Sequence, residues 1–231
     1  MAGGRFGRVD GSVLVAGLVA VAGVFGFVEL MRLASAAAPP AFDTRILLAL
    51  REAGHPATPL GPHWLKGAVR DVSSLGSATV VFLLTAAVVI HLALSRRASA
   101  GLFVVFAVAG GQVLSSLLKL LVARPRPEIV PHLTEVSTLS FPSGHAMMSA
   151  VTYLTLGLLA ARFLSCRAAK IYVVALAVAL TFLVGASRLY LGVHWPSDVM
   201  AGWCAGFAWA SLCFIAAKLT RAVSGRTPET R

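Results

Sequence analysis

Three short polar clusters interrupt an otherwise apolar chain: Lys119 with Arg126-Pro127, then Pro142-Ser143-Gly144-His145, then Ser187-Arg188 with His194 and Asp198. Ionisable groups beside membrane spans are costly, which makes them functional candidates. An arginine fork binds phosphate oxygens two at a time and a lysine adds a point charge, so Lys119, Arg126 and Arg188 together can neutralise a phosphate dianion. Ser143 and Gly144 stand where a helix begins, and a helix N-terminus offers backbone N–H groups to an anion. His194 and Asp198 are four residues apart with Pro196 between them, the pattern of a turn that opens into a helix. There Asp198 can take the N–H of one imidazole nitrogen and leave the other free to attack. His145, in a different cluster, can protonate a leaving alkoxide. The chemistry that fits all eight residues is capture of a phosphate followed by nucleophilic attack on it.

Positioning these groups requires a membrane bundle. The chain has 231 residues, 58% hydrophobic and 13% charged, the profile of a polytopic membrane protein and not of a soluble domain. Apolar runs long enough to cross a hydrocarbon core of about 30 Å predict six spans, at Ser12–Leu33, Ser77–Leu94, Gly101–Val122, Ser143–Leu164, Ile171–Ser187 and Asp198–Leu219. The expected fold is an all-α membrane helix bundle, read as one domain over 1–231. The linker from Ala34 to Gly76 carries Pro39-Pro40, Pro56, Pro59 and Pro62 and two amphipathic pieces, Phe42–Arg51 and His63–Leu75, expected as short helices along the interface. Ala34-Ser35-Ala36 resembles a signal-peptidase site, but the apolar stretch before it is long enough for a retained span.

The formal net charge is +11. The cations sit singly between spans and form no dense patch, which argues against nucleic-acid binding and for anchoring at lipid headgroups. With a cytoplasmic N-terminus, the cytoplasmic segments hold Arg5, Arg8, Arg96, Arg97, Arg162, Arg167, Lys170, Lys218, Arg221, Arg226 and Arg231. The other side holds Arg32, Arg45, Arg51, Lys66, Arg70, Arg124 and the three cluster cations. Setting the cluster cations aside, the positive-inside rule puts both termini in the cytoplasm. Alternating spans then bring all three clusters to the outer face of the membrane. Cys166, Cys204 and Cys213 have no metal-ligand spacing and read as small packing residues.

The spacing Lys119, six residues, Arg126-Pro127; Pro142-Ser143-Gly144-His145; and Ser187-Arg188, five residues, His194, three residues, Asp198 resembles the three-part signature of the type 2 phosphatidic acid phosphatase superfamily, over residues 119–198. Asp71–Ser77 resembles a further stretch found in bacterial members. The resemblance implies that His194 forms a phosphohistidine, Asp198 orients it and His145 is the acid. Lys119, Arg126, Ser143, Gly144 and Arg188 would hold the phosphate, with Arg124 a helper. It implies hydrolysis without a metal or other cofactor. The expected function is that of a lipid phosphatase in a bacterial inner membrane, acting on undecaprenyl diphosphate, phosphatidylglycerol phosphate or phosphatidic acid. A phosphotransferase using the same intermediate and a non-catalytic lipid-binding or transport protein are the alternatives. Of the other histidines, His91 reads as structural and His132 as a loop residue over the site. Nothing in these features sets the oligomeric state.

Overall fold

A computed structural model describes residues 10–136 and 138–224; Arg5, Arg8, Arg226 and Arg231 lie outside them. Helix α1 (Gly11–Ala34) starts where the Asp10 carboxylate accepts from Ser12 N–H. The linker folds into α2 (Ala41–Ala49), a short antiparallel hairpin of β1 (Arg51–Glu52) and β2 (His55–Pro59), and α3 (His63–Ser74). Helices α4 (Ala78–Leu94), α5 (Ala98–Val122), α6 (Gly144–Phe163), α7 (Arg167–Tyr190) and α8 (Pro196–Ser224) complete the chain.

Five of these helices, α1 and α5 to α8, are individually long and apolar enough to cross a membrane, and the protein is a multi-pass membrane protein. The span expected at Ser77–Leu94 is different. Helix α4 has 17 residues, about 26 Å at 1.5 Å per residue, and makes a sixth span only together with α3 across a bend of 47°. The Ser77 hydroxyl caps α4 by accepting from Val80 N–H. Helix α3, expected along the interface, meets α4 at this bend. The hairpin was not foreseen; the prolines of β2 hid it. Helix α7 begins before Ile171 and ends beyond Ser187, so Arg188 belongs to its last turn.

Helix α6 is central and packs on α5, α7 and α8, while α1 lies along α8. The contact faces are built from small residues, such as Ala146 and Ala150 of α6 against Gly202 and Gly206 of α8. Lipid supplies no hydrophobic drive between helices, so close backbone approach must supply the contact. Gly202 is a tight case at the site: a Cβ there would lie 2.6 Å from the Ser143 carbonyl oxygen. Apolar side chains such as Leu18, Val21, Phe82, Leu94 and Leu102 point outward and are exposed, as a hydrocarbon surround demands.

Two turns bring the clusters together. Helix α5 stops at Ala123, which is left-handed with φ 48°, and Pro125 follows, so the chain leaves the helix at Arg124–Arg126. Helix α7 stops before Gly192, whose φ of 71° reverses the chain toward His194. The ends of α5 and α7 and the starts of α6 and α8 therefore share one end of the bundle.

Candidate active site

A cavity of about 340 Å³ opens at that end, and Lys119, Arg126, His145, Arg188 and His194 all line it. Lys119 reaches from the last turn of α5 and donates to the carbonyls of Leu139 (2.8 Å) and Pro142 (2.9 Å). Arg126 donates from Nε to the Thr138 carbonyl (2.7 Å), from Nη2 to Thr138 Oγ1 (3.2 Å) and from Nη1 to the Val193 carbonyl. Arg188 donates from Nη1 to Ser73 Oγ (2.7 Å), while its buried Nε has no partner. The cations are thus held by neutral oxygens and their charge is not cancelled within the cavity by a bonded carboxylate. Burial pushes the Arg126 pKa down, with Asp198 opposing, yet an arginine starts so high that the group stays charged.

His194 is 2% exposed. Its Nδ1 lies 3.6 Å from Asp198 Oδ2 and 3.4 Å from Ser140 Oγ, and its Nε2 lies 3.3 Å from Arg126 Nη1. Arginine has only donors, so the nitrogen facing Arg126 must be the one with the free lone pair. The proton then sits on Nδ1, facing Asp198. Burial drives the His194 pKa down to about 3 against the pull of Asp198, and Arg126 and Arg188 push the same way. The ring is neutral at ordinary pH, with Nε2 toward the cavity. Asp198 stands behind it, fully buried, with Oδ2 accepting from Trp195 N–H (2.9 Å) and Ser140 Oγ, and Oδ1 from Arg124 Nη1 (2.6 Å).

Ser143 and Gly144 do not line the cavity. The Ser143 N–H donates to the Asp198 carbonyl (3.0 Å), tying α6 to α8, so any polar contact from Ser143 to a ligand rests on its buried and unpartnered Oγ. An added Cβ on Gly144 would lie 3.6 Å from Lys119 Cε, in ordinary contact. The amides of Gly144 and His145 belong to the first turn of α6, which lacks intrahelical partners.

Arg124 differs from its expected part as a phosphate helper: it is buried off the cavity, paired to Asp198 and Asp43. His132 bonds the Pro127 carbonyl and lines a neighbouring recess with Arg70, Thr134 and Glu135. His91 is exposed on the outer surface of α4. Sequence reasoning missed Ser140 and Asp43 altogether. It passed over Arg70, Ser73, Ser74 and Ser77 as individual residues, although all four line the cavity. A signal existed for the serines, because they fall in the Asp71–Ser77 stretch. Among the described residues, no three His, Cys, Asp or Glu side chains gather as a metal-ligand set.

The sequence pattern of the PAP2 superfamily matches residues 100–221, more than half the chain, and those residues contain all three clusters. The chain belongs to the PAP2 superfamily. This PAP2 protein is 32% identical over 146 residues to phosphatidylglycerophosphatase B of Bacillus subtilis (strain 168), covering 62% of this chain and 70% of that one. It is 30% identical over 152 residues to an undecaprenyl-diphosphatase of Sulfolobus acidocaldarius, covering 64% and 68%. Its fold is similar to the crystal structure of a transmembrane PAP2-type phosphatidylglycerolphosphate phosphatase from Bacillus subtilis, with a TM-score of 0.73 and 26% identity over 91% of this chain and 99% of that one. The solved structure is that of a transmembrane PAP2-type phosphatase, in keeping with the all-α membrane fold expected from the sequence.

Proposed function

We propose that this PAP2 protein is a metal-independent lipid phosphatase that works through a phosphohistidine on His194. The observation that carries the reading is His194 Nε2, unprotonated and aimed into a cavity lined by Lys119, Arg126 and Arg188. A lipid phosphate enters with its equatorial oxygens on these cations, aided by Ser143 Oγ and the first amides of α6, including that of Gly144. Nε2 attacks the terminal phosphorus as its bond to the leaving oxygen breaks, the lipid alkoxide of a monoester or the bridging oxygen of a diphosphate, and His145 gives its proton to that oxygen. The Nδ1 proton faces Ser140 Oγ and Asp198, and the Asp198 carboxylate stabilises the positive ring. Water then attacks the phosphohistidine, His145 takes its proton, the N–P bond breaks and inorganic phosphate leaves. The fixed cations supply the charge stabilisation that a metal supplies elsewhere.

The substrate is a lipid phosphomonoester or diphosphate. Undecaprenyl diphosphate and phosphatidylglycerol phosphate, which the relatives' names give, are the first to test, with phosphatidic acid beside them. The site faces the outside of a bacterial inner membrane and both termini face the cytoplasm. The distribution of cations supports this orientation. At the site end Arg51, Lys119, Arg124, Arg126 and Arg188 are held inside the protein by its own oxygens. They therefore do not count as headgroup anchors, whereas Arg96, Arg167 and Lys170 at the opposite end are exposed.

The test is phosphate release by purified protein across these lipids, beside His194→Ala. Loss of the nucleophile removes several orders of magnitude of rate. Near-normal release by a folded, pure His194→Ala variant would end the phosphohistidine reading.

A further inference from the structure

We infer that Asp43 and Arg124 are positioning residues for the reaction: they hold Asp198 and set the negative charge it presents to His194, so that linker helix α2 is part of the catalytic apparatus. This rests on the roles proposed above for His194 and Asp198.

Three charged side chains form a chain behind the nucleophile. Arg124 has its guanidinium between two carboxylates, with Nη1 2.6 Å from Asp198 Oδ1 and Nη2 3.0 Å from Asp43 Oδ2. Its side chain is 6% exposed, and both carboxylates are fully buried. Asp43 also binds the start of α8: its Oδ1 accepts from Ser197 N–H (2.8 Å) and its Oδ2 from Ser197 Oγ (2.5 Å). Arg124 Nη1 donates to Ser197 Oγ as well (2.7 Å), and its guanidinium lies 5.3 Å from the Trp195 ring. Both oxygens of each carboxylate are therefore engaged, as buried charges require.

Arg124 does not line the cavity, so it acts through Asp198 and not on the phosphate. It holds Oδ1, which leaves Oδ2 for Trp195, Ser140 and His194. It also dilutes the charge of Asp198, and Asp43 limits that dilution. The three charges sum to −1 + 1 − 1 = −1, so a net negative charge remains behind His194. Without Asp43, the Arg124–Asp198 pair would be neutral, and the imidazole would lose the field that favours a positive ring. The other charged or titratable groups facing His194 are Arg126, Arg188 and His145, and Lys119, Arg70 and Glu135 line the same cavity. Arg126 and Arg188 oppose a positive ring, and Asp198 supports it from behind.

The experiment uses the full chain in detergent with a lipid phosphate, and three variants: Asp43→Asn, Arg124→Gln and the double variant. Gel filtration and apparent Tm report the folded fraction. Asp43→Asn keeps the shape and removes the charge. Its kcat is expected to fall about 10- to 100-fold, the usual effect of losing a partner behind an active group, with KM within about twofold. The acid limb of its kcat profile is expected at lower pH. The double variant restores the sum to 0 + 0 − 1 = −1 and is expected to return the acid limb to its wild-type position and to recover part of kcat. Arg124→Gln leaves two carboxylates without their cation; if it does not fold, Asp43→Asn and the double variant still decide. Folded Asp43→Asn with wild-type kcat and pH profile would overturn the inference. So would a double variant no better than the single one, or a rise in KM for Arg124→Gln alone, which would put Arg124 on the phosphate. If His194→Ala itself stays active, the underlying reading fails instead, whatever Asp43→Asn does.

Discussion

Substituting Gly202 by alanine tests whether close approach of α6 and α8 sets the geometry of the site. The added Cβ would lie 2.6 Å from the Ser143 carbonyl oxygen, 3.0 Å from Ala146 Cβ and 3.1 Å from Met147 N. Two of these are backbone atoms, which cannot swing aside. Restoring an ordinary contact of 3.4 Å to that oxygen needs a separation of about 3.4 − 2.6 = 0.8 Å. Carried into the neighbouring bond from Ser143 N–H to the Asp198 carbonyl, now 3.0 Å, that shift gives about 3.8 Å, beyond hydrogen-bond reach. His145 rides on α6, and Asp198 rides on α8 just after His194, so acid and nucleophile move apart by a similar amount. A misplacement near 1 Å costs up to about 100-fold in rate, and overpacking costs about 1–3 kcal/mol of stability. The expected result for Gly202→Ala is a kcat about 10- to 100-fold down, with a lowered apparent Tm. Gly101→Ala is the control, since its Cβ meets nothing closer than 3.8 Å, and it should behave as wild type. Wild-type kcat and Tm for folded Gly202→Ala would refute the reasoning.

Further expectations concern the site's charge and its orientation. Phosphate release should persist in a strong chelator and be inhibited by vanadate; activity lost to chelation and restored by magnesium or zinc would mean the cations do not carry the charge. The folded His194 pKa of about 3 lies below its ordinary 6.5, so between these values the unfolded chain binds more protons. Stability should therefore fall as pH drops from about 6.5 toward 3, by at most about 1.4 kcal/mol per pH unit; denaturant unfolding of His194→Gln should lack that part of the slope. In a background without native cysteines, a membrane-impermeant thiol reagent should label His132→Cys in intact spheroplasts. Arg97→Cys should stay unlabelled until the membrane is opened, and the reverse pattern would put the site in the cytoplasm.

The helices were legible because a span needs a long apolar run, and the termini of α1, α5 and α6 fall within a few residues of the runs read from composition. The signature spacing of the resembled superfamily selected Arg126 over Arg124, and the two do different things: one lines the cavity, the other lies behind Asp198. Asp43 was illegible for a physical reason. It meets Ser197 across 154 residues of chain, and a single carboxylate in an amphipathic helix looks like a solvated one. Ser140 was hidden likewise, since a lone serine gives no periodicity and bonds Asp198 from a loop. The bend between α3 and α4 falls at the boundary between the amphipathic piece His63–Leu75 and the apolar run from Ser77.

Lys119 has Leu120 and Leu121 as its next residues, 72% and 76% exposed on the outer surface of α5. A cavity cation therefore lies one residue from side chains suited to hydrocarbon. A lipid phosphate at that depth keeps its tail among neighbouring acyl chains while its headgroup sits on the cations, so encounter proceeds by lateral diffusion in two dimensions. Turnover should then follow the mole fraction of substrate in the bilayer, and adding inert lipid to a fixed amount of substrate should slow the reaction although the bulk concentration is unchanged.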